Sequence, residues 1–298
     1  KEYFYVANSQ IDFARIIEYV WSQLGNDIDG EGTLGFDGWS VSLNSNGTRV
    51  AMGAIFYDGI NGPDSGYTRV YEWNGSDWTQ MGNDIDGEAA FDLSGSSVSL
   101  SSDGTRVAIG AINNNAGIGH TRIYEYNDST TTWDQLGDDI DGEFAGDNSG
   151  TSVSLSSNGA RVAIGAVQND GESGDPNDNR GHTRVYEYNS STQLWDQLGN
   201  DIDGEAAGDN SGQSVSLSSN GTRVAIGAPQ NNGGGHTRIY EYNSAKASWT
   251  QLGLDIDGEA AGDSSGFSVS LNSYGTKVAI GATNNNLGTG HVRIYELN

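Results

Sequence analysis

The sequence predicts an all-β fold assembled from five copies of one four-stranded antiparallel unit. Three observations carry that prediction. Trp21, Trp78, Trp133, Trp195 and Trp249 share one repeat position, roughly 54 to 62 residues apart, a period typical of arrays whose units cannot bury their hydrophobic faces alone. Each copy then runs through close variants of QLGNDIDGE, SVSLSS, GTRVAIGA and GHTRVYEYN. With 44 Gly and only 3 Pro, the chain suits short strands joined by turns better than extended linkers.

Within a copy, strand A is the Ser-interleaved SVSLS, strand B is RVAIGA, strand C is TRIYEY and strand D is WDQLG. In strand A, Val98 and Leu100 alternate with Ser97 and Ser99; in strand B, Val107 and Ile109 alternate with Ala108 and Gly110. Each sheet therefore has a bulky face and a small one, so that the bulky face of one copy settles on the small face of the next. The larger Tyr124, Tyr126 and Trp133 fall in strands C and D, as radial splaying about an axis requires. Four strands per copy and this taper predict a β-propeller occupying 1–298 as a single domain.

The ends do not match whole blades. Residues 13–20 read as a C strand and 21–25 as a D strand, whereas the last copy stops after its C strand. The expectation is five blades, with the N-terminal D strand completing the last one. A section of a six- or seven-bladed ring, or of a longer array, is the competing arrangement.

Composition narrows the function classes. The balance of 14 basic against 40 acidic residues gives a net charge of -26, which repels nucleic acid and anionic lipid. Absence of Cys removes disulfides, thiolate metal sites and thiol nucleophiles. No apolar run reaches the length of a membrane span. A chain beginning at Lys1 fits a processed, secreted or surface protein.

Strand entry and exit resemble the FG-GAP repeat of integrin alpha-chain propellers: Ser211-Gly212 precedes SVSLS, and Gly227-Ala228-Pro229 ends strand B. That resemblance implies a calcium loop between strands A and B. Here the loop reads Ser45 to Thr48 or Ser219 to Thr222, with Asp103 the lone carboxylate, so that site is absent and the Asn-Gly and Asp-Gly pairs serve tight hairpins.

The acids lie instead in the D–A connections: Asp27, Asp29 and Glu31; Asp84, Asp86 and Glu88; Asp139, Asp141 and Glu143; Asp201, Asp203 and Glu205; Asp255, Asp257 and Glu259. Each triplet is a candidate Ca²⁺ site, weighed against Asp side chains fastening an Asp-Gly turn. Asp92, Asp147, Asp209 and Asp263 add a further acid. His120, His182, His236 and His291 recur at the start of strand C, with Tyr67 in the first copy; spread by symmetry, they read as structural. Arg106 and Glu125 recur as an ion pair between strands B and C.

Function is sought where copies disagree. Phe36, Trp39, Phe56 and Tyr57 are peculiar to the first copy, and the long third B–C loop holds Asp170, Glu172, Asp175 and Asp178. D–A and B–C loops share one rim of an up-and-down blade, making it the candidate partner face. Sequons at Asn46, Asn74, Asn127, Asn189 and Asn220 fall on the opposite rim. The expected role is a non-catalytic extracellular module binding protein, glycan or further copies of itself; a filament subunit and a glycan-active hydrolase or lyase are the alternatives.

Overall fold

The computed structural model describes residues 21–31, 34–171, 175 and 177–298. The first blade comprises β1 (Ser40–Leu43), β2 (Arg49–Ala54), β3 (Tyr67–Trp73), β4 (Trp78–Gln80) and β5 (Ile85–Asp86). The second has β6 (Ser94–Leu100), β7 (Arg106–Ala111), β8 (His120–Asn127), β9 (Thr132–Gln135) and β10 (Ile140–Asp141). In the third, β11 (Ser149–Leu155), β12 (Arg161–Ala166), β13 (His182–Asn189), β14 (Leu194–Gln197) and β15 (Ile202–Asp203) repeat the order. The fourth runs from β16 (Ser214–Leu217) through β17 (Arg223–Ala228), β18 (His236–Asn243) and β19 (Ser248–Gln251) to β20 (Ile256–Asp257). The last sheet has three strands, β21 (Ser265–Leu271), β22 (Lys277–Ala282) and β23 (His291–Glu296).

The expected A–D strands form antiparallel ladders, but each D–A connection contributes an extra two-residue strand. β10 pairs with the start of β8, as Asp141↔His120 and Ile140↔Thr121, while β9 pairs with its far end. The Ile of Asp-Ile-Asp points inward, 5% exposed at Ile140, so burial of one side chain bends the connection onto strand C. This segment, read as a loop from its Asp and Gly content, thereby carries its acids to the His of strand C.

Packing between blades follows the predicted large-on-small rule. Ala108 and Ile123 of the second blade meet Leu155, Val162, Ile164 and Tyr186 of the third, and equivalent residues repeat between the first and second and between the third and fourth. The serines of strand A have a definite task at the same seam. Ser97 Oγ donates to the Gly150 carbonyl at 2.8 Å, and Ser99 Oγ accepts from the Leu155 amide at 3.0 Å. Each such bond contributes about 1 kcal/mol, and together they fix the register of one blade on the next. The Gly of strand B makes this approach feasible: a Cβ on Gly165 would lie 2.0 Å from the Gly212 carbonyl oxygen. Trp133 closes the seam from outside, its Nε1 donating to the Met81 carbonyl of the preceding blade at 2.8 Å. Arg106 and Glu125 stand opposite in register and pair at 2.9 Å, as predicted.

Residues 21–25 form no strand and the last sheet has no fourth strand among the described residues, because the N-terminal segment lies along the first blade. Trp78 Nε1 donates to the Leu24 carbonyl at 2.9 Å, and Asn26 bonds Asp77. The segment thus takes the place a preceding D–A connection would occupy. The expected C strand at 13–20 lies outside the described residues. Val41 and Leu43 of β1, and Val292 and Ile294 of β23, remain exposed, so the first and last sheets do not cover one another.

Candidate functional site

One rim gathers a His and carboxylates from three segments, repeated in successive blades. In the third blade, His182 at the head of β13 places Nδ1 3.8 Å from Glu143, 3.7 Å from Asp201 and 4.0 Å from Asp203. In the second, His120 Nδ1 lies 3.8 Å from Glu88 and 3.6 Å from Asp139. In the fourth, His236 Nδ1 lies 3.8 Å from Glu205 and 4.0 Å from Asp255. Within each trio the donor atoms all lie within 4.8 Å of one another. His291 keeps Glu259 at 3.6 Å, but the last sheet brings it no Asp from a following D strand among the described residues.

Each trio is held by neighbours that the sequence also repeats. Asp147, 1% exposed, accepts from the amides of Glu143 and Phe144 and from Asn169 Nδ2, and so aims the turn carrying Glu143. Gln197 Nε2 donates to Asp201 Oδ1 at 2.6 Å, leaving Oδ2 to face His182. Arg184 Nη2 donates to the Asp141 carbonyl at 2.6 Å. Burial and the Arg184 charge push His182 down to about 4, so the imidazole is neutral near pH 7 and offers a lone pair. Burial, reinforced by Asp201, pushes the Glu143 carboxyl up. Both ring nitrogens of His182 and His236 are buried without a hydrogen-bond partner, a costly arrangement that calls for an explanation.

The first blade is built differently. Tyr67 replaces His and gives its hydroxyl to Asp37. Arg69 swings onto the carboxylates: Nη2 reaches Glu31 and Asp84 at 2.7 Å each, and Nε donates to Asp84 at 2.7 Å. Burial would push Asp84 up, but the hydrogen bonds of Arg69 and Gln80 outweigh it and hold the carboxyl low.

The predicted triplets are therefore regrouped. Asp139, Asp141 and Glu143 do not close one site. Glu143 joins the following Asp201, while Asp139 joins the preceding Glu88. The same rule pairs Glu205 with Asp255 and, through Arg69, Glu31 with Asp84. Asp86 and Asp257, like Asp141, offer backbone carbonyls to Arg122 and Arg293. Asp27 accepts from Gln23, and Asp29 is exposed. The histidines read as structural are the common centre of the groups.

Beside the third trio opens a groove of about 1090 Å³, lined by Glu143, Phe144, Asp170, Asn200, Asp201 and Asp203 among others. The long third B–C loop supplies Asp170 and Gly171 to its wall. Phe144, 64% exposed, was missed, although Glu-Phe-Ala against Glu-Ala-Ala in the next two copies was a legible break in symmetry. In that loop Asp178 is paired with Arg180 at 2.7 Å, and Asp175 Oδ1 accepts from the Asn177 amide; Glu172 lies outside the described residues. Phe36, Trp39 and Phe56 cluster on the first blade, with ring centroids 5.4 and 6.4 Å from Phe56, and Tyr57 packs edge-on against Tyr67. The sequon residues occupy turns away from this rim; Asn46, Asn74, Asn127, Asn189 and Asn220 each accept from a backbone amide two residues on.

No family model and no curated protein matches the chain. Among solved structures it is similar to the periplasmic gluconolactonase PpgL of Pseudomonas aeruginosa, with 12% identity, TM-score 0.53, 86% of this chain and 71% of that one covered. It also aligns with a putative 6-phosphogluconolactonase of Bacteroides uniformis, with 9% identity, TM-score 0.49, 88% of this chain and 86% of that one covered. TolB of Acinetobacter baumannii aligns at 15% identity and TM-score 0.46, over 86% of this chain and 54% of that one. The fold is a β-propeller. Likeness at this identity extends to the fold and not to an integrin-like or adhesive identity. Two expectations are corrected by the first of these neighbours: a non-catalytic binding or assembly module, and the absence of enzymatic activity. A propeller of this shape carries the name of a lactonase, so regular repetition is no argument against catalysis. Among the described residues no helix is long and apolar enough to cross a membrane.

Proposed function

We propose that the chain hydrolyses a sugar-derived substrate, of the lactone or glycoside class, bound in the groove of the third blade outside the cytoplasm. The observation that carries this reading is that Glu143 and Asp201, with His182 buried behind them, line a groove large enough for a sugar. Phe144 presents a flat apolar ring at its wall, suited to the face of a pyranose or lactone ring. Asp170 and Asn200 flank the same space and offer an acceptor and an amide to hydroxyl groups. The lactonase name of the P. aeruginosa neighbour supports the substrate class.

The donor set fits a metal ion: a neutral imidazole nitrogen buried without a partner faces two carboxylates. Bound there, a divalent cation would polarise a carbonyl or a water molecule. The chain's own residues set the rest. Gln197 and Asp147 hold the carboxylates in place, and Phe144 shields the substrate from water.

Turnover of aldonolactones and aryl glycosides tests the reading. Glu143→Gln is expected to lower kcat/KM at least 100-fold, whereas Glu88→Gln and Glu205→Gln, in the equivalent positions of the neighbouring blades, leave it within about twofold. Phe144→Ala is expected to raise KM with little change in kcat. A wild-type protein that binds these compounds without turning any over would overturn the reading.

A further inference from the structure

The repeat contains its own control for what its acids and histidines are for. In the first blade a guanidinium bridges the Glu of the entering connection and the Asp of the leaving one, at 2.7 Å to each. In the next three blades the equivalent arginines turn to a backbone carbonyl of the entering connection: Arg122 to Asp86 at 2.7 Å, Arg184 to Asp141 and Arg238 to Asp203 at 2.6 Å. They stand 3.5 to 3.8 Å from the Glu carboxylates instead of bridging them. Where the guanidinium leaves, a His enters. The two changes go together in every blade that has both connections.

We propose that each of the three blades whose His meets acids of both connections holds one divalent transition-metal ion, at Glu88–His120–Asp139, Glu143–His182–Asp201 and Glu205–His236–Asp255, and that Arg69 is the permanent cation of the first blade. Geometry and chemistry agree. The His Nδ1 to carboxylate separations are 3.6 to 4.0 Å, too long for hydrogen bonds. An ion about 2.1 Å from each of two ligands in a tetrahedron holds them about 3.4 Å apart. The His–carboxylate spacing therefore needs to close by only a few tenths of an ångström, and all donor atoms of a trio already lie within 4.8 Å of one another. Two carboxylates and one neutral imidazole, with room for water, match an open Zn²⁺-type site; the nitrogen ligand disfavours Ca²⁺, which takes oxygen donors. The buried, unpartnered Nδ1 of His182 and His236 is the observation that acidity alone does not explain. Each ion would tie the connection entering a blade to the one leaving it.

The inference shares its third site with the proposed hydrolysis and is independent of it in the second and fourth blades. Untagged, chelator-treated full-length chain titrated with Zn²⁺ by calorimetry tests it, with Ca²⁺ in a parallel titration. Three equivalents of Zn²⁺ are expected. His120→Ala, His182→Ala and His236→Ala should each remove one equivalent, and Asp201→Asn, a partly exposed change that spares the core, should also remove one. Arg69→Met should leave the count at three. No Zn²⁺ heat, an unchanged stoichiometry in a triple His variant that keeps its β-sheet circular dichroism, or binding of Ca²⁺ in preference to Zn²⁺ would each overturn the proposal. Three equivalents without lactone or glycoside turnover would uphold the sites and sink the hydrolase reading; turnover without Zn²⁺ binding would do the reverse.

Discussion

The first blade and the three that follow solve one electrostatic problem in two ways. Both bring a Glu and an Asp from consecutive connections together on a rim of a protein with a net charge of -26, where two like charges within a few ångströms cannot rest uncompensated. The first blade neutralises them with Arg69, 4% exposed and bonded to both. The later blades replace Tyr67 by His and send the Arg elsewhere, leaving a cleft with a neutral nitrogen at its base. Near-identical strands thus carry either a closed ion-pair network or an open ligand set, and the change in the first copy that accompanies the switch is Tyr67 in place of His, the Arg two residues on being common to all.

The largest effect separating the two solutions is expected on removing the arginine. Arg69→Met leaves Glu31 and Asp84 facing one another. Breaking a buried pair costs about 3–5 kcal/mol, and the exposure of Glu31 reduces that to roughly 2–3 kcal/mol. Arg184→Met gives up hydrogen bonds to a backbone carbonyl and is expected to cost about 1–2 kcal/mol. Urea denaturation of chelated protein measures both; equal losses would mean that Arg69 is not the stand-in cation described here.

A smaller difference is expected with pH. His182 is pushed down to about 4 by burial and by Arg184, against about 6.5 in an unfolded chain. Between those values the unfolded chain binds more protons, so the stability held by neutral His182 is complete above about pH 6.5 and is lost as pH falls toward 4. The shift corresponds to at most about 3 kcal/mol. Glu143, pushed up by burial and then by Asp201, gains from protonation over the lower part of that range and offsets some of the loss. The carboxylates Asp201 and Asp203 and the guanidinium of Arg184 complete the surroundings. Tyr67 has no titration there, so His182→Asn should flatten the metal-free stability curve between pH 6.5 and 4.5. An unchanged slope would place the buried-neutral state of His182 in error.

Much of this molecule was legible from residue types alone. Alternating Val98 and Leu100 with Ser97 and Ser99 announced the blade-on-blade packing, because period 2 and a two-sized pattern admit few other arrangements. The site was half legible. Asp-Ile-Asp-Gly-Glu marked the acids, but the sequence neighbours Asp139 and Glu143 part because buried Ile140 makes a strand between them, sending one acid to each of two blades. The histidines misled for a related reason. Spread around the repeat argues against convergence on one another, whereas His120, His182 and His236 each converge with acids from two different connections. Non-local pairing of this kind has no signature in local spacing. Residues 21–25 keep the contact a preceding D strand makes, Trp78 donating to the Leu24 carbonyl as Trp133 does to Met81, without forming a strand themselves.

The finest test concerns a residue present in both kinds of blade. Gln80 donates to Asp84 at 2.8 Å and Gln197 to Asp201 at 2.6 Å, in the same geometry. In the first blade Arg69 already grips both oxygens of Asp84, so Gln80→Leu is expected to cost no more than about 0.5–1 kcal/mol, the loss of one hydrogen bond on a partly exposed group. In the third blade no guanidinium holds Asp201, and the amide alone turns Oδ2 toward His182. Outer-shell partners of metal ligands are typically worth about 10–100-fold in affinity. Gln197→Leu should therefore weaken Zn²⁺ binding at one of three sites by about tenfold while leaving the urea midpoint of chelated protein nearly unchanged. If both substitutions alter only stability, and by equal amounts, the glutamine is part of the scaffold in every blade and the contrast between the blades ends at position 67 and the orientation of the arginine.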